Sequence, residues 1–312
     1  MTVCNRDKIY NASSDWSKSV FNKRIQKIPI DGGFSCPNRD GKLSDKGCLY
    51  CNNTTFTPFY TSPIHSITQQ IEEGKTFFGK RYGCNDFFAY FQTFSSTYAP
   101  IEILKEKYTE AMNCSSIRGL IISTRPDCIN NEILELLREL RQKTYIRLEI
   151  GIEALNDFTL KAVNRCHNTA TALNAIDCIT KANIDCSAHL IFGLPEEPNN
   201  ASTQYAKILS STGIKFVKLH HLQIVKNSRL AELYTNKSIN IKLHTYDSYV
   251  ATVADFLCHL RPDIYIERFI NRVPTNMLIA PRFGNINEND FVTRLCDKMK
   301  SNNQYQGVFF NV

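Results

Sequence analysis

The chain has 312 residues, of which 43% are hydrophobic, 21% charged and 11% aromatic, a length that suits two average domains or one large α/β barrel. This composition excludes a disordered or low-complexity chain, no run of 18 apolar residues predicts a membrane span, and the start lacks a secretion signal, so we expect a cytosolic protein. The net charge of +7 permits an anionic partner such as nucleic acid, and the densest basic group, Lys18 to Lys27, is interpreted as a solvated face.

Strand-like apolar segments alternate along the chain with segments of helical period. The strands are predicted over 25–31, 87–93, 119–126, 145–154, 186–195 and 216–225. Helices are predicted over 101–112 and 131–142, where apolar residues recur at one-faced helical spacing. This alternation calls for right-handed crossovers and a parallel sheet, so the predicted fold class is α/β, a partial six-unit barrel. We expect an N-terminal extension over 1–24, the core over 25–229 and a C-terminal extension over 230–312 packed on the barrel.

Polar residues share one face of several predicted strands near their carboxyl ends. On the fourth strand one face is apolar, and the other carries Arg147, Glu149, Gly151 and Glu153. Tyr90 with Gln92, Ser187 with His189, and Lys218 with His220 fall together in the same way. A parallel strand covered on both faces should be apolar throughout, so the charges favour a polar lumen over an exposed edge strand. Because such sheets bind ligands at the carboxyl ends of their strands, these positions predict a site there.

Three of the twelve cysteines, Cys36, Cys48 and Cys51, lie in one loop with the spacing C-x11-C-x2-C. Three thiolates can hold three irons of a [4Fe–4S] cluster and leave the fourth iron open to a ligand. A structural zinc site is the alternative and would need a fourth ligand from Cys84, His65 or Cys4. Incidental thiols are the third interpretation. The other nine cysteines are interpreted as helical packing residues.

Six stretches of the chain carry a family resemblance that spans it from about Tyr10 to the C-terminus. They begin at Gln26, Ala89, Ser123, Leu148, His189 and Lys218, and read QKIPIDGGFSCPNRDG, AYFQTFSSTYAP, STRPDC, LEIGIE, HLIFGLP and KLHHLQIVK. In these stretches the chain resembles the YhcC-like and MnmL-type radical S-adenosylmethionine (SAM) proteins, which are related to the radical SAM core of the Elongator catalytic subunit. The resemblance implies a partial (β/α)6 barrel with a C-terminal α/β extension and with the cluster at its mouth.

The resemblance also implies roles for single residues. Cys36, Cys48 and Cys51 would be the iron ligands, and SAM on the open iron would be split by one electron into methionine and a 5′-deoxyadenosyl radical. The implied SAM contacts are Gln92 to its amino group, Ser123 and Glu153 to ribose, Arg165 to carboxylate, and His189 beside ribose and adenine. As alternatives, Glu153 and Arg165 could form a helix-capping ion pair, and His189 could be a core residue.

For function, the resemblance implies a tRNA-modifying enzyme that takes carboxymethylaminomethyl-uridine at the wobble position toward aminomethyl-uridine. It further implies an electron donor such as flavodoxin or ferredoxin. Lys218 and His220, on the lumen face of the sixth strand, are the candidate catalytic residues for substrate contact or proton transfer. The rival hypotheses are radical SAM chemistry on a small molecule or a protein side chain, and a non-catalytic binding module stabilised by zinc or a cluster.

Overall fold

The centre of the molecule is a seven-stranded parallel sheet that curls around a lumen. The computed structural model describes residues 8–55, 57–284 and 286–310. The strands run in the order β1-β2-β3-β4-β5-β6-β8, so β1 and β8 are its edges, and β7 and β9 form a separate antiparallel pair. Their bounds are β1 Gln26–Ile30, β2 Phe87–Phe91, β3 Ile117–Thr124, β4 Tyr145–Glu153, β5 Asp185–Phe192, β6 Phe216–His221, β7 Ile224–Val225, β8 Tyr265–Arg268 and β9 Leu278–Ala280.

Helices connect the strands and cover the outer face of the sheet. Their bounds are α1 Ser13–Phe21, α2 Ile67–Tyr82, α3 Ile101–Asn113, α4 Asn131–Arg141, α5 Asp157–Ala162, α6 Thr169–Lys181, α7 Ala201–Ser210, α8 Arg229–Thr235, α9 Tyr246–His259 and α10 Glu288–Ser301. No described helix combines the length and the apolar character that a bilayer crossing requires.

Local sequence explains where these elements begin and what they bury. In α4 the Asn130 side chain accepts a hydrogen bond from the Ile133 amide, which caps the first turn. The apolar stripe of α4 that begins at Ile133 is buried against the sheet. The predicted α/β partial barrel with a C-terminal α/β extension is confirmed, and both predicted helices end within one residue of the observed bounds.

Two apolar layers surround the lumen. The larger lies between the sheet and the outer helices and includes most of the buried hydrophobic residues. The smaller closes the lumen at the amino ends of the strands, where Trp16 of α1 packs edge-on against Phe216, with ring centroids 4.9 Å apart. This apolar group lies at the amino ends of the strands, and the polar groups of the lumen lie nearer the carboxyl ends.

The C-terminal part of the chain extends the sheet. Strand β8 pairs with β6 in parallel, and α9 packs against α7 and α10. The N-terminal segment also contacts β8, where the Ile266 amide donates to the Asn11 carbonyl over 2.7 Å. The division at residues 24 and 229 stays a prediction.

Candidate functional site

The three-cysteine loop opens onto a cavity at the carboxyl ends of the strands. Cys36, Cys48 and Cys51 all line this cavity, and their thiols are free. Turn hydrogen bonds shape the loop, and Arg39 Nη2 donates to the Cys51 carbonyl over 2.9 Å. Burial, followed by the nearby thiol of Cys48 and, more weakly, that of Cys36, raises the pKa of Cys51 to about 11. The fold therefore brings the three predicted ligands together around one space.

Donors from the neighbouring segment already address the most buried sulfur. Asn38 Nδ2 lies 3.4 Å from Cys48 Sγ and also donates to the Asn164 carbonyl over 2.7 Å. Arg165 Nη1 lies 3.5 Å from the same sulfur. Hydrogen bonds to cysteine sulfur favour the thiolate and tune the potential of an iron–sulfur cluster.

The zinc alternative needs a fourth ligand near the three thiols. Cys84 and His65 do not line this cavity, and Cys4 lies outside the described residues. Among residues 8–55, 57–284 and 286–310, no three His, Cys, Asp or Glu side chains are grouped to hold one metal ion. A [4Fe–4S] cluster needs a different arrangement, because each cysteine binds a separate iron.

A chain of charged groups leads from Cys48 into the cavity. Arg165 Nη2 lies 3.4 Å from Glu153 Oε1 and also donates to the Gly151 carbonyl. His189 Nδ1 lies 3.1 Å from Glu153 Oε2. Burial by itself would raise the pKa of Glu153, but His189 and Arg165 outweigh it and hold the pKa at about 2. Glu153 is therefore an ionised acceptor at neutral pH.

The end of β4 is irregular where it presents this carboxylate. Its pairing with β5 shifts register between Gly151 and Glu153, and Glu153 has a φ of 70°. A left-handed backbone is unfavourable for a residue with a long side chain, and such strain is concentrated at functional sites. The first turn of α5 is capped by Asn156 and not by Glu153. The roles of Glu153 and Arg165 stay predictions.

Deeper in the lumen, a second carboxylate collects four donors. Glu149 Oε1 accepts from Lys27 over 2.6 Å, while Oε2 accepts from Tyr90 over 2.6 Å, Lys218 over 3.0 Å and Ser123 over 3.2 Å. Burial would raise the pKa of Glu149, but the charges of Lys218 and Lys27 hold it well below its usual range. Burial lowers the pKa of Lys218 despite Glu149.

A neighbouring carboxylate from β8 completes this layer. Glu267 forms ion pairs with Lys27 and Arg147, and it accepts a hydrogen bond from Ser187 over 2.6 Å. The polar lumen predicted from the strand pattern is therefore present. The interpretation of Lys18 to Lys27 as a solvated face is wrong for Lys27, which forms ion pairs with Glu149 and Glu267. Its position on the lumen side of β1 draws it inward to two carboxylates.

His220 contacts both Arg268 and His189 in the lumen. Its Nε2 accepts a hydrogen bond from Arg268 Nη2, and its ring lies edge-on to His189 with centroids 4.3 Å apart. Burial, and then the charge of Arg268, holds the pKa of His220 well below its usual range. A neutral imidazole is therefore bound to a charged guanidinium.

The remaining sequence-predicted positions also line the cavity. Gln92 follows the last residue of β2, and Ser123 on β3 is bound to Tyr90 and Glu149. All ten candidate residues thus surround one space, while their individual roles stay predictions. Of the other nine cysteines, Cys4 lies outside the described residues. The packing assignment is wrong for Cys166, which is exposed, and the helical assignment is wrong for Cys84, Cys114 and Cys186, the last of which lies in β5.

Sequence reasoning gave no role to several cavity residues. Arg125 is buried, grips Asp127 through two hydrogen bonds of 2.7 and 2.8 Å, and donates to the Arg165 carbonyl. Arg125 is part of the STRPDC stretch that begins at Ser123, so the family resemblance could have identified it. Arg268 offered no such signal, because it comes from the seventh strand, which was not predicted.

Nine side chains lining the cavity carry a buried nitrogen or oxygen atom without a hydrogen-bond partner. They are Tyr50, Asn53, Ser95, Arg125, Glu153, Arg165, His189, His221 and Arg268. Buried polar atoms are nearly always paired in folded proteins, so such a concentration indicates that polar ligands belong here. Free thiols at one wall and unpaired donors and acceptors at the others fit both an iron–sulfur cluster and SAM.

Comparison with known proteins shows which families share these features. Residues 40–202 match the radical SAM superfamily, and residues 214–300 match the radical SAM C-terminal domain. The chain is 31% identical to protein YhcC of Escherichia coli strain K12, over 84% of this chain and 83% of the relative. It is 27% identical to protein YtqA of Bacillus subtilis strain 168, over 98% and 94%.

The fold also resembles a solved structure of an archaeal Elp3. That chain, from Methanocaldococcus infernus with an N-terminal deletion, aligns with a TM-score of 0.65 at 13% identity. The alignment covers 90% of this chain but 64% of the other, so this chain spans less than two thirds of its length. At this identity the likeness shows a common fold.

Proposed function

This chain belongs to the radical SAM superfamily, in its YhcC-like group, and we propose that it modifies the side chain of the wobble uridine of transfer RNA. Members of the superfamily are enzymes that bind a [4Fe–4S] cluster and SAM. The observation that carries the proposal is that three free thiols, the Glu153–Arg165 pair and a charged lumen line a single cavity.

In the proposed site, Cys36, Cys48 and Cys51 would hold the cluster, which would supply the electron for cleavage of SAM. Asn38 and Arg165 donate to the Cys48 sulfur and so stabilise it as a thiolate. The remaining steps concern side chains that bind and orient the other ligands.

We assign each part of SAM to a residue of the cavity wall. Glu153, which stays ionised, accepts from the ribose hydroxyls, and Gln92 contacts the amino group. Arg165 suits a carboxylate because its guanidinium can donate two parallel hydrogen bonds, and its Nε still lacks a partner. Ser123 and His189 complete the ribose and adenine side.

Lys218 and His220 both lie on β6 and line the cavity. The Lys218 ammonium is held by Glu149 and Tyr90, and it lines the cavity that contains the thiols. Burial lowers its pKa, which brings proton release closer to neutral pH. We propose that Lys218 contacts the substrate or moves a proton, and that His220 orients groups beside it.

Charge and resemblance support transfer RNA as the substrate. The net charge is +7, and exposed basic residues such as Lys226 and Arg272 adjoin segments that line the cavity. Phosphate contacts dominate the affinity of proteins for RNA, and an unstacked loop base can leave the stem to enter a pocket. The sequence resemblance to MnmL-type proteins and to the Elongator catalytic subunit indicates the same base.

The electron donor is proposed to be an acidic protein such as flavodoxin or ferredoxin. The loop that carries the cysteines also exposes Arg39, Lys42 and Lys46. Complementary charge steers such encounters and makes them sensitive to salt.

The cofactor part is tested by anaerobic reconstitution. Dithionite-reduced protein with SAM should form 5′-deoxyadenosine, and Cys48→Ala should lose most of its iron and sulfide and form none. Cys178→Ala, which changes a half-buried thiol on α6, is the matched control and should behave as the wild type. Equal 5′-deoxyadenosine from Cys48→Ala and wild type, or zinc without sulfide, would rule out the proposed chemistry.

The substrate part is tested on nucleosides. Mass spectrometry of tRNA from a strain lacking the gene should show accumulated carboxymethylaminomethyl-uridine and less aminomethyl-uridine. The missing product should return with the wild-type gene and not with Cys48→Ala. An unchanged nucleoside profile, with SAM cleavage intact, would reject tRNA and leave a small molecule or a protein side chain as the substrate.

A further inference from the structure

Arg268 is a cation without a carboxylate partner inside the lumen. It ends β8, it lines both the cavity with the thiols and a second cavity toward the open side of the barrel, and its Nε is buried without a hydrogen-bond partner. Within residues 8–55, 57–284 and 286–310, its guanidinium forms no ion pair with any Asp or Glu.

The other lumen cations are already matched. Lys27 and Lys218 contact Glu149, and Lys27 and Arg147 contact Glu267. Two carboxylates are thus shared by three cations before Arg268 is counted. Glu288 lines the second cavity with Arg268 but forms no ion pair with it, and burial raises the pKa of Glu288. A buried polar group needs a partner, so the unpaired Nε of Arg268 favours an anion bound beside it.

The guanidinium is also oriented. Arg268 Nη2 donates to Nε2 of the neutral His220, and His220 packs edge-on against His189. One corner of the guanidinium is thereby fixed, while Nε still has a hydrogen to donate. A guanidinium held in this way matches the planar geometry of a carboxylate.

We propose that Arg268 binds a carboxylate of the substrate and thereby decides which substrates are accepted. Strand β8 lies in residues 214–300, which match the radical SAM C-terminal domain, and its Arg268 faces the same cavity as the three thiols. The inference rests on the proposed function, because carboxymethylaminomethyl-uridine carries its carboxylate at the end of the side chain. That group can reach into the lumen ahead of the base.

The test compares two anticodon stem-loop RNAs bound to reconstituted holoenzyme. They differ only at the wobble uridine, which carries either the carboxymethylaminomethyl group or its methyl ester, in which the charge of the carboxylate is removed. Fluorescence anisotropy should show roughly 10- to 100-fold tighter binding of the carboxylate RNA by wild type. Arg268→Gln should bind both RNAs equally, and Arg268→Lys should retain part of the preference. Arg294→Gln, at an exposed position on α10, is the control and should keep the full preference.

Three outcomes would overturn the inference. Arg268→Gln could keep the preference for the carboxylate RNA, whatever its rate of tRNA modification. Wild type could show no preference between the two RNAs. Arg268→Gln could lose SAM affinity to the same degree as RNA affinity, which would assign the residue to SAM.

Failure of the tRNA function is recognised separately with a small anion. If neither RNA binds, sodium acetate is titrated into the holoenzyme, and its thermal midpoint is followed. A rise in wild type that is absent in Arg268→Gln supports the carboxylate site while the tRNA proposal fails. The same rise in both proteins, or in neither, rejects the carboxylate site.

Discussion

Glu149 shows how much a single residue of this fold depends on its surroundings. The period of β4 predicts that its side chain faces the lumen, but period alone cannot identify its four donors, which come from β1, β2, β3 and β6. Three of those donors, Lys27, Tyr90 and Lys218, are far apart in sequence and converge because a parallel sheet aligns equivalent positions.

Replacing Glu149 by Gln should destabilise the protein by about 3 to 5 kcal/mol at pH 7, because the buried ammonium group of Lys218 loses its counter-charge and Lys27 keeps only Glu267. Urea unfolding followed by circular dichroism measures this difference. Glu139→Gln, which breaks an exposed pair with Lys105, is the control and should cost less than about 1 kcal/mol. Equal losses in the two variants would contradict the role assigned to Glu149.

The pH dependence of this loss has a defined sign. The pKa of Glu149 is lower in the folded protein than its ordinary value of 4.5, so its contribution is complete above pH 4.5 and is lost as the pH falls through the folded value. The stability gap between wild type and Glu149→Gln should therefore be constant from about pH 5 to 7 and shrink at lower pH. A gap that widens on acidification would contradict this assignment.

At the scale of elements, β4 links the cluster loop to the lumen. The irregular end of β4 places Glu153 against Arg165, and this arrangement requires that residue 151 have no side chain. A Cβ at Gly151 would lie 2.7 Å from Glu153 Oε1 and 2.8 Å from Arg165 Nη2. The φ of Gly151 is not in the left-handed region, so the requirement is for space and not for backbone freedom.

Gly151→Ala should therefore separate Glu153 from Arg165 and weaken SAM binding by roughly 10-fold or more. We expect the free energy of unfolding to change by less than about 2 kcal/mol, because the atoms that must move are ends of long side chains. Equilibrium binding of SAM to reconstituted protein measures the effect. Gly79→Ala, at an uncrowded position in α2, is the control and should leave SAM affinity unchanged. SAM affinity equal to wild type in Gly151→Ala would show that the pair is not needed.

At the scale of the whole molecule, the two ends of the chain are joined beside the open edge of the sheet. Gln306 is buried, and its side chain donates to the carbonyls of Arg261 and Ile264 over 3.0 and 2.8 Å. It also accepts from the Asn11 amide over 2.9 Å. One amide thus connects the N-terminal segment, the C-terminal segment and the turn that leads into β8.

Gln306→Leu should remove three hydrogen bonds, one from the Asn11 amide and two to the carbonyls of Arg261 and Ile264, and cost about 3 kcal/mol. Hydrogen exchange should quicken in β8 before it does in β3 and β4, because the loss is local to that edge. Gln304→Leu, whose residue is partly exposed two positions earlier, is the matched control and should exchange as the wild type. Uniform acceleration through all strands, or none, would contradict this account.

The sequence alone determined six strands of the main sheet in chain order, two of the helices between them, the face of β4 that lines the lumen, and the three cysteines of one loop. These follow from short-range periodicity and from spacing within sixteen residues, which local physical chemistry fixes. The candidate set from Gln92 to His220 was reached in the same way and through family resemblance.

Only the tertiary structure decided which charges meet. In the sequence, Lys27 resembles the neighbouring surface lysines. In the structure, the curled sheet brings it to Glu149 and Glu267. Arg268 acquires its importance because β8, more than forty residues beyond β6, adds a seventh strand to the sheet. Contacts of this kind depend on how distant segments are packed, and no local pattern in the chain records them.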